Sequence, residues 1–522
     1  MLLLALVPAT IFLLLTLRWI HFSPPGIEFF GMLQGDQPAY TVFARGTYLR
    51  GNGVLFAQPF DHEADSPRVL VNLTYSALGV LMRVTGDRPV LAWEIWRVVF
   101  GGACFALFGG LVARCLNGPA RWWALAFGFF GGGASWIRGV SIVLSGEEPS
   151  FLKALDLAES GFGWWCLNLF RQGLYPLELA YHTLFFGALL CFLNRRFGLM
   201  LVLVGITWAS HTITAALLTC ALGLALVGDW LREPDRRRTG LMLAGLGGLG
   251  AAATIYYGFY LPSFPRIGRW IEQTLQFQPA MYFAYYPPAF GPFLLLPAIA
   301  LWRPAARFLW HERAGRLCLA WLLAVLFWAH HDWVSFNPVQ PIHFVRGHLY
   351  AVVVLIAGKA LELFLAQGGK SVLLRWGLPL WLGVAVLDNV SFVARVGLLP
   401  PSAGILTTTA EGREVIEHYR AKPGSVMFVG EDRGLAVQIM ARSSHRAYVS
   451  EPFITPDSGG QVVRVGLAMA SGDPRRLREI GIDEVILHPR GPSWFPKWIR
   501  RPSALPVLME NGRYRVVAVP PE

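Results

Sequence analysis

The stretch MLLLALVPATIFLLLTLRWIHFSPPGIEFFGMLQGDQPAY, residues 1–40, sets the terms on which the rest of the chain is read. Its first 17 residues carry no charge, and at 1.5 Å of rise per residue such a run approaches the roughly 30 Å of hydrocarbon in a bilayer. It lacks a basic leading region and runs into RWIHFSPP in place of a small-residue cleavage site, so it is read as a retained first span. Asp36 follows in GDQPAY. A carboxylate set just beyond a span must stay in water or find a partner, and this placement raises the question of function.

Working outward, the 522 residues are 54% hydrophobic and only 15% charged, with a mean hydropathy of +0.45, too apolar for a soluble protein of this length. Apolar windows predict about eleven spans, at 1–18, 91–114, 121–144, 174–194, 197–210, 212–231, 240–261, 287–303, 314–331, 343–366 and 372–395. WASHTITAALL interrupts one long apolar run near residue 210 and is also compatible with a re-entrant turn. The net charge of +12 does not point to nucleic acid, because Arg114, Arg121, Arg195, Arg196, Arg232, Arg236 to Arg238, Arg303, Arg307, Arg313, Lys370 and Arg375 sit in short loops on one side of this scheme. That side is read as cytoplasmic. The long loops 19–90, 145–173 and 262–286, and everything after residue 396, then lie outside. The six cysteines show no CxxC pattern or disulfide framework.

After residue 396 the composition changes. SVMFVG, RAYVSE and DEVILHP read as short buried strands, DRGLAVQIMAR and PRRLREIG as helices, and the Asn-Gly pair in ALPVLMENGRYRVVAVP as a hairpin turn. The expected architecture is an α-helical polytopic membrane region over 1–396, with a first external loop at 19–90, and a small external α/β domain over 397–522.

The first loop holds Asp36, Arg45, Asp61 and His62 among YTVFARGTYL and RVLVNLTYSALGVLMRV, whose helical spacing predicts helices lying at the membrane surface over a cavity. Asp36 by itself reads as a carboxylate that can stay ionised at the water interface or as the cap of a helix beginning at QPAY. Arg346 and His343 in PIHFVRGHLY lie near the outer end of a span, where a guanidinium needs a partner. A phosphate suits its forked donors, and snorkelling to lipid headgroups is the alternative. His211 in WASHTIT and Arg138 in SWIRG fall at the same face, as do His330, His331 and Asp332, whose spacing matches no compact metal motif. Glu147 and Glu148 in SGEEPS read by themselves as the start of a solvated helix, with negative charge at the positive end of its dipole. Glu94 with Arg97, and Lys359 with Glu362, are spaced to pair locally on helices. In the last region Glu431, Asp432, Arg433, His445, His488 and Arg490 fall at predicted strand ends, open to acceptor recognition or to structure alone.

The short first span, GDQPAY soon after it, the long first external loop, GITWASHTITAALL with a His between paired central helices, QPIHFVRGHLY at the outer end of a late span and the external C-terminal region together resemble the GT-C superfamily of integral-membrane glycosyltransferases. That superfamily includes oligosaccharyltransferases and protein mannosyltransferases. There is no WWD-type signature, and the first-loop Asp-Glu pair of mannosyltransferases is here Asp36 followed by Gln37. The resemblance implies a catalytic base at Asp36, donor or acceptor contacts at Arg346, His343, His211, Arg138, Arg45, Asp61 and His62, and a divalent cation such as Mg or Mn on the hard oxygen ligands of Glu147 and Glu148 beside the helix-start reading. It implies transfer of a sugar from a polyprenyl-phosphate donor to a glycan, lipid or protein acceptor. The excess of Arg over Lys and the abundance of Gly, Ala and Leu point to a bacterial source, hence the inner membrane, with a cytoplasmic N-terminus and a periplasmic C-terminal region. A transporter or flippase of a lipid-linked or anionic solute, and a non-catalytic envelope scaffold, remain the competing readings.

Overall fold

The computed structural model describes all residues except 1, 50–51, 64, 160–167, 233–235, 277–279, 292–302, 336–338, 368–371, 402–404, 431, 452–453, 489–504 and 522. Among the described residues seven helices are long and apolar enough to cross a membrane: Leu3–His21, Pro89–Cys115, Pro176–Leu193, Thr212–Trp230, Arg236–Ser263, Pro341–Ala366 and Trp376–Leu398. An eighth span results if Gly118–Phe130 and Ser135–Leu144, bent by 55° at their junction, count as one. The chain is a multi-pass membrane protein. Two further expected spans are helices too short for that test, Phe197–Trp208 and Arg313–Ala329, and the one expected at 287–303 lies mostly outside the described residues.

The chain divides into two compact units, one of residues 1–15, 94–255 and 278–399, the other of 16–93, 256–277 and 400–522. In the first, Thr212–Trp230 packs along Arg313–Ala329, and His348–Ala366 packs on Gly118–Phe130. Phe105, Phe108, Phe185, Phe186, Trp321 and Tyr350 are fully buried in the shared core, whereas Val99, Leu199, Leu224, Leu241 and Leu380 face outward, as a hydrocarbon surrounding requires.

The bend between Gly118–Phe130 and Ser135–Leu144 frees main-chain groups that a low-dielectric environment would penalise. Each finds a partner: Gly132 N–H donates to the Ala385 carbonyl and Ala134 N–H to that of Pro288, both at 2.8 Å, while Gly133 and Ser135 N–H donate to the Asp388 carboxylate at 2.8 and 2.7 Å. Only glycine fits at 133, since a Cβ there would lie 2.1 Å from the Pro288 carbonyl oxygen. Arg171 donates to Asp388 at 2.8 Å and to Glu159 at 2.8 Å, and Arg395 reaches Glu159 at 3.3 Å and also pairs with Asp156. Buried charge is tolerated here because each sign has the other against it.

The second unit is built on a five-stranded sheet in the order Arg446–Ala447, Val426–Val429, Glu484–Leu487, Arg515–Ala518, Val507–Glu510. Its first two pairings are parallel and the others antiparallel, the last closed at Asn511, whose side chain accepts the Tyr514 N–H at 2.8 Å. Residues of the first loop share this unit's core: Phe30, Val42, Phe43 and Phe60 pack with Val415, Tyr419, Leu435 and Ile439. Glu28–Phe29 also pairs antiparallel with Thr407–Thr408.

Candidate functional site

Asp36 opens the helix Asp36–Gly46, where the aligned peptide dipoles favour negative charge. It is exposed, while Gln34 and Gln37 beside it are buried. Gln37 Oε1 accepts the Gln34 N–H at 3.0 Å, one residue ahead of the N-cap position, which is Gly35. Gln34 Nε2 donates to Asp36 Oδ2 at 2.6 Å. Below this turn the helix is anchored: the buried Trp93 donates its indole N–H to Thr41 Oγ1 at 2.9 Å, and Phe43 stacks on Tyr75 with ring centroids 5.1 Å apart. The helix was expected from YTVFARGTYL; its docking on the Arg433–Arg442 helix of the same unit was not.

The other first-loop candidates make local pairs. Arg45 donates to Asp87 at 2.7 Å, and Tyr48 OH donates to the other oxygen of that carboxylate at 2.7 Å. Asp61 is buried and lies 3.7 Å from Arg266, which also meets Glu63 at 3.5 Å and Asp65 at 3.0 Å. His62 packs on the Tyr448 ring at 4.3 Å and lies 3.3 Å from Gln461 Nε2. Burial holds its imidazole below the ordinary value, against the raising pull of Glu63 and Asp61.

In the membrane-spanning unit the structure gathers Arg346, His343 and His211 around residues the sequence reading passed over. Arg346 Nη1 pairs with the Glu178 carboxylate, and Nη2 donates to His343 Nε2 at 3.0 Å. The ring nitrogens of His182 face the carbonyl oxygens of Glu178 at 2.7 Å and Arg346 at 2.8 Å, and the ring stacks on His348 at 4.2 Å. Gly347 makes this approach possible: its φ is +64°, and a Cβ there would lie 2.8 Å from His182 Nε2. His211 precedes Thr212–Trp230, accepts the Thr214 N–H at 3.3 Å and stacks on Tyr181 at 4.2 Å with ring planes 5° apart. Glu178 and His182 sit four apart on an otherwise apolar helix, LELAYHTLFF, and that spacing was the signal available for them.

Arg138 and Glu147 line an open polar hollow of about 360 Å³ with Ser141, Ile142, Ser145 and Leu157. Glu148 Oε1 accepts the Ser150 N–H at 2.9 Å, at the start of Phe151–Glu159. This is the helix-start role that the sequence left open beside the metal role. Among the described residues no three His, Cys, Asp or Glu side chains converge as a metal cage. The hollow sets a guanidinium beside Glu147, a poor neighbour for a cation, so no chemical step is derived through one.

His331 Nε2 accepts the Val339 N–H at 2.7 Å, and His330 stacks on Phe283 with its Nε2 2.8 Å from Tyr286 OH. Both act as packed polar groups. Asp432 caps Arg433–Arg442 by accepting the Leu435 N–H at 2.9 Å, and His445 Nδ1 accepts the Ser425 N–H at 3.0 Å. The Glu94–Arg97 and Lys359–Glu362 pairs form at 2.9 and 3.1 Å. Glu431 and Arg490 lie outside the described residues.

No family model and no curated protein matches the chain. Solved structures do. Archaeal oligosaccharyltransferase AglB from Archaeoglobus fulgidus, in complex with an inhibitory peptide and a dolichol-phosphate, aligns with 92% of this chain and 69% of its own at 11% identity and a TM-score of 0.43. The Archaeoglobus fulgidus oligosaccharyltransferase in complex with Zn and sulfate aligns with 93% and 68% at 12% identity and a TM-score of 0.44. The single-particle structure of the arabinofuranosyltransferase AftD from mycobacteria aligns with 99% of this chain at 14% identity and a TM-score of 0.50, and this chain spans 40% of its length. Identities this low speak to fold. The AftD match covers 99% of this chain, and the chain shares the fold of that membrane-protein structure.

Proposed function

We propose that the chain is a glycosyltransferase that moves a sugar from a polyprenyl-phosphate donor to an acceptor on the extracytoplasmic face of the bacterial inner membrane, with residues 397–522 on that same side. The observation that carries the reading is the state of Asp36. It is an exposed carboxylate on the first residue of a packed helix whose N-cap position is Gly35, and the buried Gln34 amide donates to it. A base has to be ionised, reachable and held at a fixed orientation, and these features serve all three needs.

In this reading an acceptor hydroxyl loses its proton to the Asp36 carboxylate as its oxygen attacks the anomeric carbon. The carbon–oxygen bond to phosphate breaks, its electron pair leaves on the phosphate, and configuration at the carbon inverts. In the membrane-spanning unit, Arg346 offers the forked donors that suit a phosphate group, and stabilising charge that develops in a transition state is where most of such a rate comes from. His343, in contact with Arg346, and His211 border the donor head, while Arg138 in its polar hollow serves a hydroxyl-rich group. Arg45, Asp61 and His62 shape the first loop that carries the base. The solved relatives in fold include one with dolichol-phosphate bound, which is the donor chemistry proposed here.

The test is Asp36→Asn in the purified full-length protein, assayed for transfer from a panel of synthetic farnesyl-phosphoryl pentoses and hexoses to extracted envelope glycan. Transfer is expected to vanish with the thermal midpoint unchanged. Activity equal to the parent protein would remove Asp36 from the mechanism.

A further inference from the structure

The GDQPAY turn holds more than its carboxylate. Gln34 and Gln37 flank the exposed Asp36 at only 6% and 0% exposure, and buried amides persist in folds where hydrogen bonds fix them. The order of those bonds is informative. Gln37 Oε1 accepts the Gln34 N–H at 3.0 Å and the Gln37 N–H donates to the Gln34 carbonyl at 3.1 Å, so the Gln34 main chain is gripped at both ends. The first bond also fixes which way round the Gln37 amide lies, because only its oxygen can accept. Gln34 Nε2 in turn lies 2.6 Å from Asp36 Oδ2, and this fixes the Gln34 amide, because a carboxylate oxygen repels an amide oxygen.

With both amides locked, Gln34 Oε1 and Gln37 Nε2 remain buried without a hydrogen-bond partner. Two such atoms in one turn carry a standing cost that an apolar residue at either position would avoid. A turn kept at that cost calls for a function that the fold alone does not supply.

We infer that Gln34, locked by Gln37, is a positioning residue that holds the Asp36 carboxylate in the one orientation from which it meets the acceptor hydroxyl. The inference rests on the reading of Asp36 as the base. It also accounts for glutamine at position 37: its side-chain oxygen must accept a main-chain N–H, and a neutral amide does so without setting a second charge beside the base.

The experiment follows the pH dependence of carbodiimide labelling at Asp36, read by peptide mass spectrometry on the full-length protein. Labelling requires a protonated carboxyl, so its midpoint reports how strongly the surroundings hold the ionised form, with no need of substrate. Gln34→Leu removes the donor and is expected to raise the midpoint by about one pH unit, and Gln34→Glu, which sets a like charge beside Asp36, to raise it further. In the transfer assay both variants lose kcat, about 10- to 100-fold, with KM for the farnesyl-phosphoryl donor unchanged. If Gln34→Leu does not fold, the isosteric Gln34→Glu carries the same readout. Labelling midpoints and kcat equal to those of the parent protein overturn the inference while leaving Asp36 as base. An active Asp36→Asn overturns the base, and the labelling shift then still reports whether Gln34 holds the carboxylate.

Discussion

The guanidinium of Arg346 and the carboxylate of Glu178, 168 residues apart in sequence, meet as an ion pair inside the membrane-spanning unit. The pair gives Arg346 a counter-ion, and under the proposed function a donor phosphate would compete with it.

Two substitutions separate charge from geometry at this pair. Glu178→Ala removes the counter-ion of a buried guanidinium and is expected to cost about 3–5 kcal/mol, seen as a lowered thermal midpoint in detergent, whereas replacing both residues by methionine costs much less. Arg346→Lys keeps the charge but loses the forked donors, and binding of farnesyl phosphate should weaken about tenfold. Equal binding by Arg346→Lys would argue against a phosphate at this guanidinium.

Asp388 takes two main-chain N–H groups at the bent span and the Arg171 guanidinium together. Asp388→Ala should therefore destabilise the membrane unit by about 3–5 kcal/mol, and Asp388→Asn by less, because its amide oxygen still accepts one of the two N–H groups, which meet different carboxylate oxygens. Intrinsic tryptophan fluorescence during thermal unfolding distinguishes the two, and a neutral Asp388→Ala would mean that the bend is held by other contacts.

Burial holds His62 and His445 below the usual 6.5, more than nearby carboxylates pull them up. Both stay neutral in the fold and take a proton more readily when unfolded. Stability is thus complete above pH 6.5 and is lost as the pH falls from there toward the lower folded values. Melting at pH 5.5 should come below melting at pH 7.5, with a smaller gap in His62→Gln. A midpoint that rises on acidification would contradict the assignment.

The sequence was most informative where one short window decides the structure. Spans such as Pro176–Leu193 and Thr212–Trp230 announce themselves by the length of their predominantly apolar run, and the Asn511–Gly512 turn marks its hairpin. Phe197–Trp208 and Arg313–Ala329 show the limit of that signal, since apolar composition does not set where a helix stops. Arg346, His343 and His211 were legible because polar residues stand out near the end of a span. Glu178 and His182 were masked by the same apolar background, because each looks like an isolated exception until the fold brings Arg346 beside them. Asp388 and Arg171 were missed for the same reason: their partners lie 253 and 217 residues away in the chain, and no local pattern encodes such pairing.

The two-residue ladder between Glu28–Phe29 and Thr407–Thr408 has a practical corollary for anyone expressing part of this protein. A secreted fragment of residues 397–522 would present to water the surfaces that Phe30, Val42 and Phe43 cover, and it should precipitate. Supplying residues 16–93 and 256–277 as companion segments should restore a soluble assembly, and light scattering during co-refolding would register the rescue. Deletions within residues 16–93 or 400–522 would then have to be planned as paired edits, because these two stretches fold within one unit.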